Sequence, residues 1–184
     1  MKKAFVHFAD GFEEIEALTI IDVLRRADIP ASMVSVTGNL SVTGAHGIVV
    51  QTDVLFENAD YEDAEILILP GGLPGAHNLN AHEGLKIQLK RFHDAGKKVA
   101  AICAAPLVLG GLNILENKKA TCYPGFENEL LGASLSTDLA VKSDNVITSR
   151  GPGTALNFAL ELVSELKGRS TADQLAKAML VQTW

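Results

Sequence analysis

Short apolar runs alternate with longer stretches of helical periodicity along this chain, and that alternation leaves few folds open. AFVHF (4–8), ASMVSV (31–36), EILILP (65–70), KVAAI (98–102), KATCY (119–123), LAVKS (139–143) and NVITSR (145–150) read as strands. Between them, residues 12–29 place Ile15, Leu18, Ile21 and Leu24, or Ile20, Val23 and Ala27, at helical spacing. Residues 84–96 form an amphipathic helix with a glycine stop, 106–115 a helix containing a glycine pair, and 154–168 a strong helix that also stops at glycine. A last helix covers 171–181 with Thr171 as its N-cap. Residues 40–56, with glycine punctuation and alternating β-branched residues, read as a hairpin or an edge excursion. Strand runs this apolar are buried on both faces, so the expected fold class is α/β, a three-layer α/β/α sandwich around a mostly parallel sheet. One domain over residues 1–184 is expected.

The rest of the composition excludes more than it selects. A net charge of −6, with no Lys/Arg stripe, argues against nucleic acid as a dedicated ligand. No apolar run reaches the roughly 20 residues of a membrane span. The opening MKKAFVHFADGFEE is basic, but acids follow its short apolar stretch at once, so it reads as a first strand and not as a signal peptide. Two cysteines are too few for a disulfide framework and suit a reducing cytoplasm.

In doubly wound sheets ligands bind beyond the carboxyl ends of the strands. Four expected strands end in ADGFEEIE (9–16), PGGLPG (70–75), CAAP (103–106) and SRGPGT (149–154), each suited to bringing backbone N–H groups close to a ligand. Neither a G-x-G-x-x-G after a strand nor a G-x-x-x-x-G-K-[ST] loop is present, so no nucleotide cofactor is expected. GPGT (151–154) is either an anion-binding helix start or a proline-led turn.

Cys103 is either a small buried hydrophobe or a nucleophile. Its place between a strand and a helix favours the nucleophile, because helix-start N–H groups stabilise thiolate and lower the thiol pKa. Those donors, with Gly71 and Gly72, can form an oxyanion hole. Glu13, Glu14 and Glu16 open the first helix, where the macrodipole alone accounts for two of them on a solvated face. Glu16, offset from Glu14, can instead turn inward, keep its proton and hydrogen-bond a thiolate. The five histidines and two cysteines form no metal-ligating array, so no metal is expected. His7 reads as a satisfied core residue and His93 as a helix-surface one; His46 and His77 lie in glycine-bearing loops.

FADGFEEIEA, ILPGG-x-x-GA-x-NL, VAAICAAP and TSRGPGTA-x-x-F, in this order and at these separations, resemble the DJ-1/ThiJ/PfpI family over essentially the whole chain, most closely its DJ-1-like branch. The resemblance implies a flavodoxin-like sandwich, usually a homodimer, whose reactive cysteine sits on a strained elbow beside a protonated glutamate. Those roles fall on Cys103 and Glu16, with backbone donors at Gly72 and Ala104 and Gly71 beside them. It implies no cofactor. Ala104 replaces the histidine that follows the cysteine in the protease-like branches, so peptidase chemistry is not expected. Tyr123 of TCYP stands where the DJ-1-like branch has a pocket histidine, and His46 where it has a pocket arginine; Arg150 is retained. Activities implied by the resemblance are methylglyoxal conversion to lactate, deglycation, peroxide sensing through a cysteine sulfinate, and redox chaperoning. Its thiazole-biosynthesis label has no support in these residues. The primary expectation is therefore an α-oxoaldehyde enzyme acting on a small carbonyl substrate, and the alternative a redox sensor working through Cys103. The apolar first helix, with Glu16 and Ile20 near it, is one surface for such a dimer, and the sequence does not choose it over another.

Overall fold

A computed structural model describes residues 3–184; Met1 and Lys2, part of the basic opening discussed above, lie outside the described residues. Eleven strands form: β1 (Lys3–Phe8), β2 (Ala31–Ser35), β3 (Ser41–Thr43), β4 (Val49–Gln51), β5 (Val54–Leu55), β6 (Ala64–Leu69), β7 (Lys98–Ile102), β8 (Lys119–Ala120), β9 (Ser134–Leu135), β10 (Ala140–Ser143) and β11 (Val146–Ser149). The helices are α1 (Glu14–Arg26), α2 (Gly75–Ala81), α3 (Glu83–Asp94), α4 (Pro106–Gly111), α5 (Ala155–Lys167) and α6 (Arg169–Ala178).

The main sheet has seven strands in the order β10-β11-β7-β6-β1-β2-β5. All pairings are parallel except β10 with β11 at one edge. Chain order moves one way from β1 to β2 and the other way from β6 to β7. With right-handed crossovers those two connections fall on opposite faces of the sheet. α1 accordingly packs on α5, and α5 on α6, while α3 packs on β6 and β7 with α2 beside it. The sandwich expected from the apolar runs is the fold observed. The core lies between layers, where Phe5, Phe8, Phe12, Phe92 and Phe158 are fully buried.

Several boundaries differ for local reasons. α2 is absent from the sequence-based expectation. Its PGGLPGAHNLN segment carries too few apolar residues for a visible stripe, and only Ala76 and Leu79 supply buried apolar side chains. α4 stops at Gly111 where a helix to 115 is expected, as Asn113 takes a φ of +57°. Residues 40–56 do make the β3–β4 hairpin, followed by edge strand β5. The expected strand at 119–123 is reduced to β8, because Tyr123 N–H is captured by the Cys103 carbonyl at 2.8 Å. α6 starts at Arg169 after Gly168, and the Thr171 hydroxyl donates back to the Lys167 carbonyl, so Thr171 is not its cap. On α1, Glu16 and Ile20 are fully buried, and Ile15 and Leu18 are the exposed apolar residues of that helix. No helix among the described residues is long and apolar enough to cross a membrane.

Candidate functional site

β11, β7, β6 and β1 are consecutive and parallel, so the four glycine- and proline-bearing segments that follow them meet at one edge of the sheet. Cys103 is the first residue beyond β7. Its N–H donates to the Ser149 carbonyl at 3.0 Å, and its own carbonyl accepts from Tyr123 N–H. Held from both sides, it adopts a φ of +66°, a conformation that costs a non-glycine residue about 1–3 kcal/mol. The strain breaks the strand direction and places a thiol that is 8% exposed at the floor of a cavity of about 710 Å³.

Glu16, in the first turn of α1, is fully buried and faces that thiol. Its Oε2 accepts the Gly71 N–H at 2.8 Å, while its Oε1 is buried with no partner among the described residues. Protonation would turn this orphaned oxygen into a donor. Burial pushes the Glu16 carboxyl up to about 7, against the opposing pull of the Gly71 N–H. Gly71 has no room for a side chain: a Cβ would lie 2.5 Å from the Cys103 Cβ and 2.8 Å from Glu16 Oε2. Gly72, at a φ of +92°, is equally restricted, with a Cβ meeting Glu13 N at 2.4 Å.

The expectation that a helix start lowers the Cys103 pKa is not met. Burial, then the charge on Glu16 and its hydrogen bond, push the thiol up to about 12, against the Gly72 and Ala104 N–H groups. α4 begins only at Pro106 and is six residues long, so its dipole is weak. The state of Glu16 decides the outcome. A proton on that carboxyl removes the repelling charge and offers the sulfur an O–H, while Gly72 and Ala104 continue to favour thiolate. The two groups titrate as a pair.

Glu13 and Glu14 are not solvated, contrary to the macrodipole reading. Glu13 caps α1, its Oε2 accepting the Glu16 N–H at 2.8 Å. Glu14 is buried beneath the β3–β4 loop, where it accepts the His46 N–H and contacts His46 Nδ1, both at 2.7 Å. Burial raises the Glu14 pKa, but those bonds outweigh it and hold the carboxyl below its usual range. The same hydrogen bond and charge raise His46, whose side chain is 70% exposed. Gly44 makes this possible, since a Cβ there would strike Glu14 Oε1 at 2.3 Å. That glycine was the only sequence signal for the contact, and without the hairpin's docking it points to nothing.

Of the residues singled out from sequence, Cys103, Gly72, Ala104, Tyr123 and His46 line the cavity, and Glu16 and Gly71 stand behind the thiol. Arg150 does not join them. Its guanidinium donates to the Thr137 carbonyl and lines a separate cavity of about 210 Å³ with Cys122. Burial and the Glu127 charge push the Cys122 thiol up to about 11, with Arg150 opposing. His7 is a satisfied core residue, bonded to the Ile68 carbonyl and the Tyr61 hydroxyl. His93 is half-buried on α3 and His77 is exposed. Sequence reasoning missed the apolar wall formed by Ile15, Ile48, Leu73 and Phe126. One set, Glu13, Glu14 and His46, brings donor atoms within 4.8 Å of one another and could hold a cation. Three of its four carboxylate oxygens already accept hydrogen bonds within the protein.

With this geometry in place, the chain can be set beside known proteins. A family model described as "DJ-1/PfpI family" matches residues 2–165. The chain is 36% identical over 183 residues to Protein DJ-1 homolog B of Arabidopsis thaliana, an alignment covering 98% of this chain but only 42% of the plant protein. It is 32% identical to Deglycase PYRAB04690 of Pyrococcus abyssi, covering 86% of this chain and 96% of that protein. Among solved structures, oxidized DJ-1 of Toxoplasma gondii superimposes with a TM-score of 0.95 at 34% identity, covering both chains completely.

Proposed function

The chain belongs to the DJ-1/PfpI family, and from that membership we propose that it is a cofactor-independent cysteine enzyme acting on small α-oxoaldehydes or their adducts. The observation that carries this reading is the Cys103–Glu16 pair, coupled at the floor of one cavity with the Gly72 and Ala104 N–H groups directed at the sulfur. The relative named a deglycase supports chemistry on such adducts.

In the reactive form Glu16 holds the proton and Cys103 is a thiolate. The sulfur attacks the aldehyde carbon, and its oxygen takes a proton to give a hemithioacetal. Glu16, now a carboxylate, removes the hydrogen of that carbon to leave an enediolate, whose negative charge on oxygen the backbone N–H groups stabilise. Glu16 then returns the proton to the neighbouring carbon, and the product is a 2-hydroxy thioester. Water then cleaves the thioester to release the hydroxy acid and regenerate the thiol. Methylglyoxal would yield lactate, and an adduct would lose its amine or guanidine as leaving group. The test is lactate formation from methylglyoxal by the parent and by Cys103→Ser and Glu16→Gln variants. Unchanged turnover in either variant refutes the mechanism.

A second reading, oxidation of Cys103 in a stress response, is favoured by the oxidized state of the similar Toxoplasma structure. Two peroxide molecules would convert the thiolate to sulfinate with release of two waters, and a protonated Glu16 would hydrogen-bond the product. A two-oxygen mass gain confined to Cys103 at low peroxide dose is the expected result. Preferential oxidation of Cys122 overturns it.

A further inference from the structure

We propose that the second cavity, lined by Cys122 and Arg150, binds a small zwitterion: a free α-amino acid with a short apolar side chain. The inference stands apart from the oxoaldehyde reading, and its test needs no turnover.

The segment that follows β8 is a wall shared by the two cavities. Tyr123 and Phe126 line the first, and Cys122 and Glu127 line the second. The wall is fixed at both ends. Tyr123 N–H is held by the Cys103 carbonyl at 2.8 Å, and the Glu129 carbonyl oxygen sits where a Cβ on Gly110 of α4 would meet it at 2.0 Å. At about 210 Å³ the second cavity is smaller than the roughly 300–1,000 Å³ of sites that enclose drug-sized ligands. Its occupant is therefore small.

Charge selects what that occupant carries. Arg150 and Glu127 are the charged side chains of the lining, and no ion pair joins them among the described residues. Arg150 donates from Nη1 to the Thr137 carbonyl at 3.2 Å, while its Nε and Nη2 have no partner among the described residues. Glu127 Oε2 accepts the Gly125 N–H at 2.7 Å, and its Oε1 accepts nothing among the described residues. After burial, both charges act on the Cys122 thiol between them, Glu127 raising its pKa and Arg150 lowering it. Thr121, 1% exposed, lines the same cavity, and its Oγ1 is buried without a partner among the described residues. Buried polar atoms in folded proteins are nearly always hydrogen-bonded, so this orphan points to an occupant that supplies an acceptor. The carboxylate of an α-amino acid pairs with the free side of the Arg150 fork and offers that acceptor. Its ammonium pairs with Glu127 Oε1, and a short apolar side chain covers Leu135, which is 55% exposed at the rim. A simple anion leaves Glu127 facing it, and a simple amine leaves Arg150, so each is opposed by one of the two charges.

The experiment titrates the intact chain with L-valine, valinamide and isovalerate by calorimetry, and locates binding by amide hydrogen exchange. Valinamide lacks the carboxylate and isovalerate the ammonium. The expected result is saturable valine binding with a Kd of about 1 mM or below, and each analogue at least about tenfold weaker. Valine should slow exchange at residues 121–127 and 135–137 and leave Gly72 and Ala104 unchanged. Glu127→Gln alters an exposed residue, and its amide oxygen still accepts the Gly125 N–H, so the variant tests charge and not folding. It should weaken valine at least about tenfold and leave isovalerate as it was. Arg150→Gln should weaken valine likewise and leave valinamide as it was. Valine that does not saturate, an analogue that binds as tightly as valine, or undiminished valine binding by Glu127→Gln overturns the inference. Protection at Gly72 and Ala104 in place of residues 121–127 also overturns it. None of these outcomes touches the oxoaldehyde reading, which rests on the other cavity.

Discussion

Replacing Glu16 with glutamine should stabilise the fold, and by an amount that depends on pH in a calculable way. The carboxyl is fully buried and its pKa is displaced from 4.5 to about 7, chiefly by burial. Below pH 4.5 both folded and unfolded chains hold the proton, and the residue puts no load on the fold. Between pH 4.5 and 7 the unfolded chain gives up the proton while the folded one keeps it, so stability falls as pH rises; above pH 7 the loss is complete. At about 1.36 kcal/mol per unit, the displacement amounts to roughly 3 kcal/mol at pH 8 and roughly 2 kcal/mol at pH 6. Glutamine carries no charge at any pH. Its carbonyl can accept the Gly71 N–H that Oε2 accepts at 2.8 Å. Urea unfolding of both proteins at pH 4.5, 6 and 8, in a Cys103→Ala background so that sulfur holds no part of the charge, gives the difference directly. The glutamine variant should gain over its parent by those amounts relative to pH 4.5. A stability difference that stays constant with pH would show that Glu16 ionises as freely folded as unfolded, and the proton-sharing pair would be lost with it.

Other perturbations test neighbouring parts of the account. Gly71→Ala places a Cβ 2.5 Å from the Cys103 Cβ; alkylation of Cys103 by iodoacetamide should slow about tenfold or more, with a loss of roughly 1–3 kcal/mol in urea unfolding. Gly44→Ala drives a Cβ to within 2.3 Å of Glu14 Oε1; amide hydrogen exchange at residues 44–48 should quicken while the central strands remain protected. Burial pushes His7 down to about 3, so the unfolded chain takes up a proton below pH 6.5 that the folded chain refuses. Stability should therefore fall by roughly 2 kcal/mol between pH 8 and pH 5 through this residue alone. His7→Gln should lack that share of the acid sensitivity; identical pH profiles for the two proteins would contradict it.

The sheet and the edge that carries the candidate site are legible because strands buried on both faces must be continuously apolar, and because glycine and proline clusters directly after them mark places where backbone approaches closely. The place of Cys103 directly beyond β7 is legible from that context; the inward turn of Glu16 is not, because its offset carries meaning only beside a solvated Glu14, and both carboxyls are buried. What the sequence concealed depends on distant segments docking. The burial of Glu13 and Glu14 follows from the hairpin loop at 44–48 closing over the start of α1, and nothing within residues 9–16 announces that contact. Arg150 sits in a stretch that does reach the site, yet its side chain turns to the Thr137 carbonyl, a choice made by a loop with no periodicity. The direction of the Cys103 shift differs from the expectation because burial, the largest cause, outweighs the helix position, and the Glu16 charge adds to burial. α2 escaped notice since a seven-residue helix with two buried apolar side chains leaves no stripe to read.

In the reaction proposed above Cys103 is the nucleophile and Cys122, in its separate cavity, is not. Lactate released from methylglyoxal, measured side by side for the parent, Cys103→Ser and Cys122→Ser, tests it most directly. Cys103→Ser should fall to the uncatalysed background while Cys122→Ser keeps the parent rate. Lactate formation that survives the loss of Cys103 would contradict it.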